Sequence, residues 1–103
     1  MADLNTIKEI LATAAETSSK AFELQTSFYT RFNRRQGEAL STLADLRVNS
    51  LKEMAGCDSL DSAVEKNSEF NQQAGELIEE LYSENVDMFT SLSNELKDLY
   101  KLK

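Results

Sequence analysis

Arg31, Arg34 and Arg35 stand beside Phe28, Tyr29 and Phe32, a mixture of cations and aromatic rings that suits phosphate tracking and base stacking. Further on, Glu76, Glu79, Glu80, Glu84 and Asp87 offer the oxygen ligands a divalent cation takes. Asn67, Asn71 and Asn85 interrupt an apolar pattern where a polar ligand site could lie, and Cys57 is the single thiol. Each feature has a plainer reading. The acids lack the Asp-x-Asp-x-Asp-Gly order of a calcium loop, and their three- and four-residue steps are those of a solvated helix face. Asparagine in a helical seam sets register and oligomer state at some cost in stability. Cys57, with Asp58 beside it and Lys52 as its nearest cation, reads as a small turn residue rather than an activated thiol.

The composition of the 103 residues narrows the chemistry further, because the chain has no histidine, proline or tryptophan. Histidine-dependent triads, His-ligated zinc and Glu-x-x-His di-metal sites are excluded. No acid–base pair suggests itself, so the expectation is a protein without enzymatic activity, cofactor or metal. Residues 1–55 balance seven basic against seven acidic side chains, whereas residues 56–103 carry four lysines and eleven acids, which places the whole net charge of -7 in the second half. That balance disfavours nucleic acid and anionic membrane surfaces. No apolar run approaches the length of a membrane span, and with a lone cysteine and no basic leader the expected location is the cytoplasm.

The elements that carry these residues read as two helices. Leu4, Ile7, Leu11, Phe22, Phe28, Tyr29, Phe32, Leu40, Leu43 and Leu51 recur mostly at steps of three, four or seven, one stripe of an amphipathic helix. Gln25, Gln36 and Arg47 lie at its edge, eleven apart, a spacing that fits a nearly straight helical seam. In the second half Val64, Asn71, Ile78, Asn85, Leu92 and Leu99 interleave with Leu60, Asn67, Ala74, Leu81, Met88, Glu95 and Leu102, the alternating steps of a coiled-coil seam. Phe70, Leu77, Phe89 and Leu96 widen that stripe. Between the halves, Gly56 is placed to end one helix in the left-handed conformation and Asp58 or Ser59 to cap the next, with Ser62 and Glu65 at capping-box spacing.

The expected fold is therefore all-α: a long antiparallel two-helix hairpin forming coiled-coil oligomers. It is one domain over 1–103, with a helix from about 3 to 55, a turn at about 56–58 and a helix from about 59 to 102. A short turn near residue 57 makes facing positions sum to about 114. Arg34 and Arg35 should then face Glu79 and Glu80, and Arg31 should face Glu84, as surface pairs that fix register more than stability. Two helices that meet along one stripe leave apolar width over, which calls for self-association or an apolar surface.

The stretch Phe32-Asn33-Arg34-Arg35-Gln36, followed by Leu40, Leu43 and Leu51, then Ser59-Leu60-Asp61-Ser62-Ala63-Val64 and Glu69-Phe70-Asn71, resembles the phasins. Asn85, Phe89, Glu95-Leu96 and Tyr100 are similar too. Phasins coat polyhydroxyalkanoate storage granules in bacteria. The resemblance implies a non-enzymatic, all-helical homo-oligomer on the granule surface, where contact with the polymer synthase or depolymerase is open to it. Adsorption to the polymer is then expected from Leu4, Ile7, Leu11, Phe22, Phe28, Tyr29 and Phe32. Hairpin closure or oligomerisation falls to Leu60, Val64, Asn71, Ile78, Leu81, Asn85, Met88, Leu92 and Leu99. The rival expectation is a coiled-coil scaffold or adaptor that binds protein partners only. Small secreted hairpins with a Trp-x-Gly turn differ at Ala55-Gly56-Cys57.

Overall fold

The computed structural model describes residues 3–101. The fold is all-α, with helix α1 over Leu4–Ala55 and helix α2 over Leu60–Leu99 packed against each other and no strand among the described residues. With no proline to interrupt either helix, only glycine could weaken them, and α1 runs through Gly37 as α2 runs through Gly75. The start of α1 is capped by Asp3, whose Oδ1 accepts the Thr6 backbone N–H at 2.7 Å. That bond holds the Asp3 carboxyl below its ordinary range. Ser59 caps α2, its Oγ accepting the Ser62 N–H at 3.1 Å. The Ser62 hydroxyl pairs with Ser59 at 3.0 Å instead of reaching towards Glu65.

The turn corrects one expectation. No glycine has positive φ, so Gly56 does not end α1 in the left-handed conformation; its N–H bonds back to Lys52 O and Glu53 O, and Cys57 N–H follows to Met54 O at 3.2 Å. A Cβ at Gly56 would meet only those two carbonyl oxygens, at ordinary contact distance. Gly56→Ala should accordingly leave the melting temperature unchanged or raise it slightly, a result that thermal denaturation followed by circular dichroism checks. At its far end α2 stops at Leu99, short of the expected 102. Leu102 itself lies outside the described residues.

The chain divides into two compact units. Unit 1 combines the residues up to Arg31 with those from Asp87 onward, and unit 2 is Phe32–Val86. Unit 1 is centred on Phe28, the largest fully buried side chain, 1% exposed, which lies 4.7 Å from the Phe89 ring and edge-on to Tyr29 at 5.4 Å. Unit 2 is a helical hairpin whose interior mixes apolar and polar contacts. Arg35 grips Glu84 with Nε to Oε2 and with Nη2 to Oε1 at 3.2 Å. The Gln36 and Asn85 side-chain amides each donate a hydrogen bond to the other, at 2.8 and 3.3 Å, and Arg47 lies over the Phe70 ring at 4.7 Å while donating to Asn67 at 3.0 Å.

Burial on α1 follows an eleven-residue repeat, which α2 shares in part. On α1 the sheltered positions include Thr17, Phe28, Ala39 and Ser50, and beside them Ala21, Phe32, Leu43 and Met54. On α2 they include Ala63, Ala74, Asn85 and Leu96, then Lys66, Leu77, Met88 and Leu99, then Phe70, Leu81 and Leu92. Eleven residues in three turns is about 3.67 per turn, close to the helix's own 3.6, so a strip built this way drifts little around the helix.

Candidate interaction surface

Among the described residues only Ala21, Phe28, Ala39 and Ser50 are buried, and far more large apolar side chains lie outside than in. All but Ile10, which shares the line of Ala21 and Phe32, lie on one flank of their helix. On α1, Ile7, Tyr29, Leu40 and Leu51 are all exposed and fall on one eleven-residue line through Ser18. Leu11 and Phe22 form the line beside it, and Leu4 and Val48 the next. On α2, Leu60 and Tyr82 share a line with Asn71, Val64 and Val86 share one with Gly75, and Ile78, Phe89 and Tyr100 share a third. Each flank lies roughly 100° round its helix from the buried strip, as the 3.6-residue turn dictates.

The grooves of unit 2 show how the flanks meet. One is lined by Leu40, Leu43 and Ala44 from α1 and by Phe70, Asn71, Ala74 and Ile78 from α2, with Arg47 and Asn67 at its floor. The other, on the opposite side, is lined by Asn49, Glu53, Lys66, Glu69 and Gln73 over Leu46, Ser50 and Phe70. Unit 1 has a charged groove of its own, where Lys20, Glu23 and Ser27 face Glu95 and Asp98 over Leu24 and Leu99. In antiparallel helices the apolar flanks fall on a common side, away from these charges.

Of the seven side chains expected at a polymer surface, Leu4, Ile7, Leu11, Phe22 and Tyr29 are exposed. Phe28 is a correction: it is buried in unit 1 and cannot touch a surface without unpacking. Phe32 is half-buried on the inward strip, in line with Ala21 and Leu43. Ile10, Val48, Tyr82 and Val86, which neither the stripe on α1 nor the heptad seam on α2 singles out, stand exposed.

The second seam divides similarly. Leu81, Asn85, Met88, Leu92 and Leu99 are half-buried, whereas Leu60, Val64, Asn71 and Ile78 are exposed. The strip Ala63, Phe70, Leu77 and Glu84 lies inside in their place. The asparagines also separate. Asn67 and Asn85 bond across the hairpin to Arg47 and Gln36, while Asn71 borders the open groove.

Register pairs change partner. Arg35 binds Glu84 rather than Glu79 or Glu80, Arg34 turns to Glu38 on its own helix at 3.9 Å, and the Glu84 carboxylate expected opposite Arg31 is taken by Arg35. The Arg47–Asn67 pair sums to 114, as expected, but Arg35–Glu84 sums to 119. Side chains on a helix lean towards its N-terminus. In an antiparallel pair, two long side chains therefore meet several residues beyond the backbone register.

The Arg35 hydrogen bonds hold the Glu84 carboxyl below its ordinary range, and Glu84 in turn raises the Arg35 guanidinium. Lys66, facing Glu69 first and Glu53 second, is also raised. A depressed carboxyl contributes stability above its unfolded pKa and loses it as pH falls through the folded value. The melting temperature should consequently decline below about pH 4. Glu84→Gln should flatten that decline; an unchanged pH profile in the variant would show that the clasp plays no part in it.

Elsewhere on the charged side, Glu16–Lys20 at 3.1 Å is an exposed pair on one helix, of the kind worth well under about 1 kcal/mol. No three His, Cys, Asp or Glu side chains among the described residues come together as metal ligands would. The Cys57 thiol donates to Glu53 O at 3.2 Å. Among the described residues no helix is long and apolar enough to cross a membrane. The chain matches no family model, no characterised protein and no solved structure.

Proposed function

We propose that this chain is a non-enzymatic coat protein that adsorbs through its amphipathic helices to polyhydroxyalkanoate storage granules in the cytoplasm and limits their coalescence. The apolar flank of unit 1 supports this reading most directly: Leu4, Ile7, Leu11, Phe22 and Tyr29 are exposed, and the groove on the other side carries Lys20, Glu23, Glu95 and Asp98. A flat apolar solid can take such a flank, leaving the charged side to water. Each large apolar side chain that leaves water contributes roughly 1.5–3 kcal/mol, so a handful anchors a chain at an interface. The polyester itself comes from the resemblance in Phe32-Asn33-Arg34-Arg35-Gln36 and the segments after it. In the same reading copies self-associate on the granule, and polymer synthase or depolymerase are candidate neighbours.

Sedimentation with amorphous polyhydroxybutyrate particles tests this. Saturable co-sedimentation is expected. A wild-type protein that remains in the supernatant as a stable oligomer would sink the coat reading in favour of a coiled-coil adaptor for protein partners. A net charge of -7 per chain also predicts that coated particles repel one another and clump as salt shortens the screening length below about 10 Å. Light scattering over a salt titration reads this out, and a constant particle size would argue against an electrostatic coat.

A further inference from the structure

We infer that the apolar face of unit 2 is the contact between two copies of this chain, packed face to face as a four-helix layer. The inference deepens the coat reading by naming the contact between copies, and rests on it only for the expectation that copies associate. The face is formed by Leu40, Val48 and Leu51 from α1 and by Val64, Ile78 and Tyr82 from α2, all exposed.

Three observations favour a second copy as the occupant. The first is charge. The eleven-residue lines that make up this face within unit 2 contain Asn33, Gly37, Ala44, Asn71 and Gly75 besides the large apolar residues, and no charged residue. Arg47, at the groove floor, is engaged within its own chain by Phe70 and Asn67. Two copies that each carry a net charge of -7 can therefore meet on this side without opposing like charges, which the acidic side of α2 forbids.

The second is area. At the observed exposures the large apolar side chains of this face amount to on the order of 500 Å² per copy. A pair would bury about 1,000 Å², the lower bound for a specific interface.

The third is relief. Gly37 sits on one line with Val48, and Gly75 lies midway between Val64 and Val86. A Cβ at either glycine would meet nothing within 4 Å in the single chain. Mid-helix glycine weakens a helix, and neither the turn nor the hairpin interior requires it here. On the face, however, the two glycines leave open backbone, and Ala44 and Ala74 line a groove with Leu40 and Ile78, which are 69% and 57% exposed. Knobs next to hollows on one self-complementary surface are what an isologous contact needs.

Sedimentation equilibrium of the full chain, without particles, tests the contact. Wild type should associate reversibly. Gly37→Gln with Gly75→Gln should keep or raise helicity and thermal stability while weakening association by at least about a hundredfold, because the added side chains stand on open backbone of the face, where a Cβ meets nothing within its own chain. Ile78→Glu, which puts a charge on the face, should do the same by a different route. Wild type that stays monomeric at all concentrations, or variants that associate as wild type does, would overturn the inference. Polymer-particle binding by the same variants separates the two readings: adsorption through unit 1 should persist in chains that no longer pair. A wild type that dimerises but never binds particles would sink the coat and leave the dimer standing.

Discussion

Replacing Phe28 with alanine is expected to lower the unfolding free energy by about 3–5 kcal/mol, the cost of removing a fully buried aromatic ring. Phe28 is 1% exposed and packs on Phe89 and Tyr29. The remaining buried side chains, Ala21, Ala39 and Ser50, are small, so no other single residue among those described supplies comparable burial. Domains of this size have roughly 5–15 kcal/mol in hand, and a loss on this scale brings unit 1 close to unfolding near physiological temperature. Thermal and urea denaturation of Phe28→Ala beside Phe22→Ala gives the contrast. Phe22 is 71% exposed, and its truncation should change stability by no more than about 0.5 kcal/mol. Equal effects from the two variants would mean that unit 1 is not held together by this ring.

The two variants also locate what is legible in the sequence. Helix type, the place of the turn and the Ser59 cap are readable because they depend on local chemistry, whereas the left-handed ending expected of Gly56 does not form. Which edge of a broad apolar stripe turns inward is not. Phe22 and Phe28 both belong to the stripe on α1, and Val64 and Phe70 both belong to the stripe on α2, yet one of each pair is exposed and the other sheltered. A seven-residue reading of α2 selects Val64, Asn71 and Ile78. Burial keeps the seven-residue step one position earlier, at Ala63, Phe70, Leu77 and Glu84, and holds it at Asn67, Ala74, Leu81 and Met88, while an eleven-residue line adds Asn85 to Ala63, Ala74 and Leu96. Over one or two turns the repeats of seven and eleven select the same neighbours, and they separate only over longer stretches. The register pairs differ for another reason. A rule that counts backbone positions ignores the lean of long side chains, and Arg35 reaches Glu84 because both lean.

The exposed half of those pairs carries the prediction for function. Phe22→Asp with Tyr29→Asp should leave the helices in place, since both side chains are exposed, with a modest fall in melting temperature where Tyr29 loses its edge-on contact with Phe28. Adsorption to polymer particles should nevertheless fall by at least about two to three orders of magnitude, because the two rings are each worth roughly 1.5–3 kcal/mol at the surface. The introduced carboxylates would add a desolvation cost if pressed against the polyester. Phe28→Asp is unsuited to this comparison, because it unfolds the site that it is meant to probe. The measurement is a binding isotherm by co-sedimentation, at matched ellipticity, for wild type and the double variant. A parallel isotherm for Leu40→Asp, on the apolar face of unit 2, shows which unit holds the particle. Loss with Phe22→Asp, Tyr29→Asp but retention with Leu40→Asp places adsorption on unit 1. The reverse pattern moves the polymer to the face that we assign to a second copy, and the two proposals then compete for one surface.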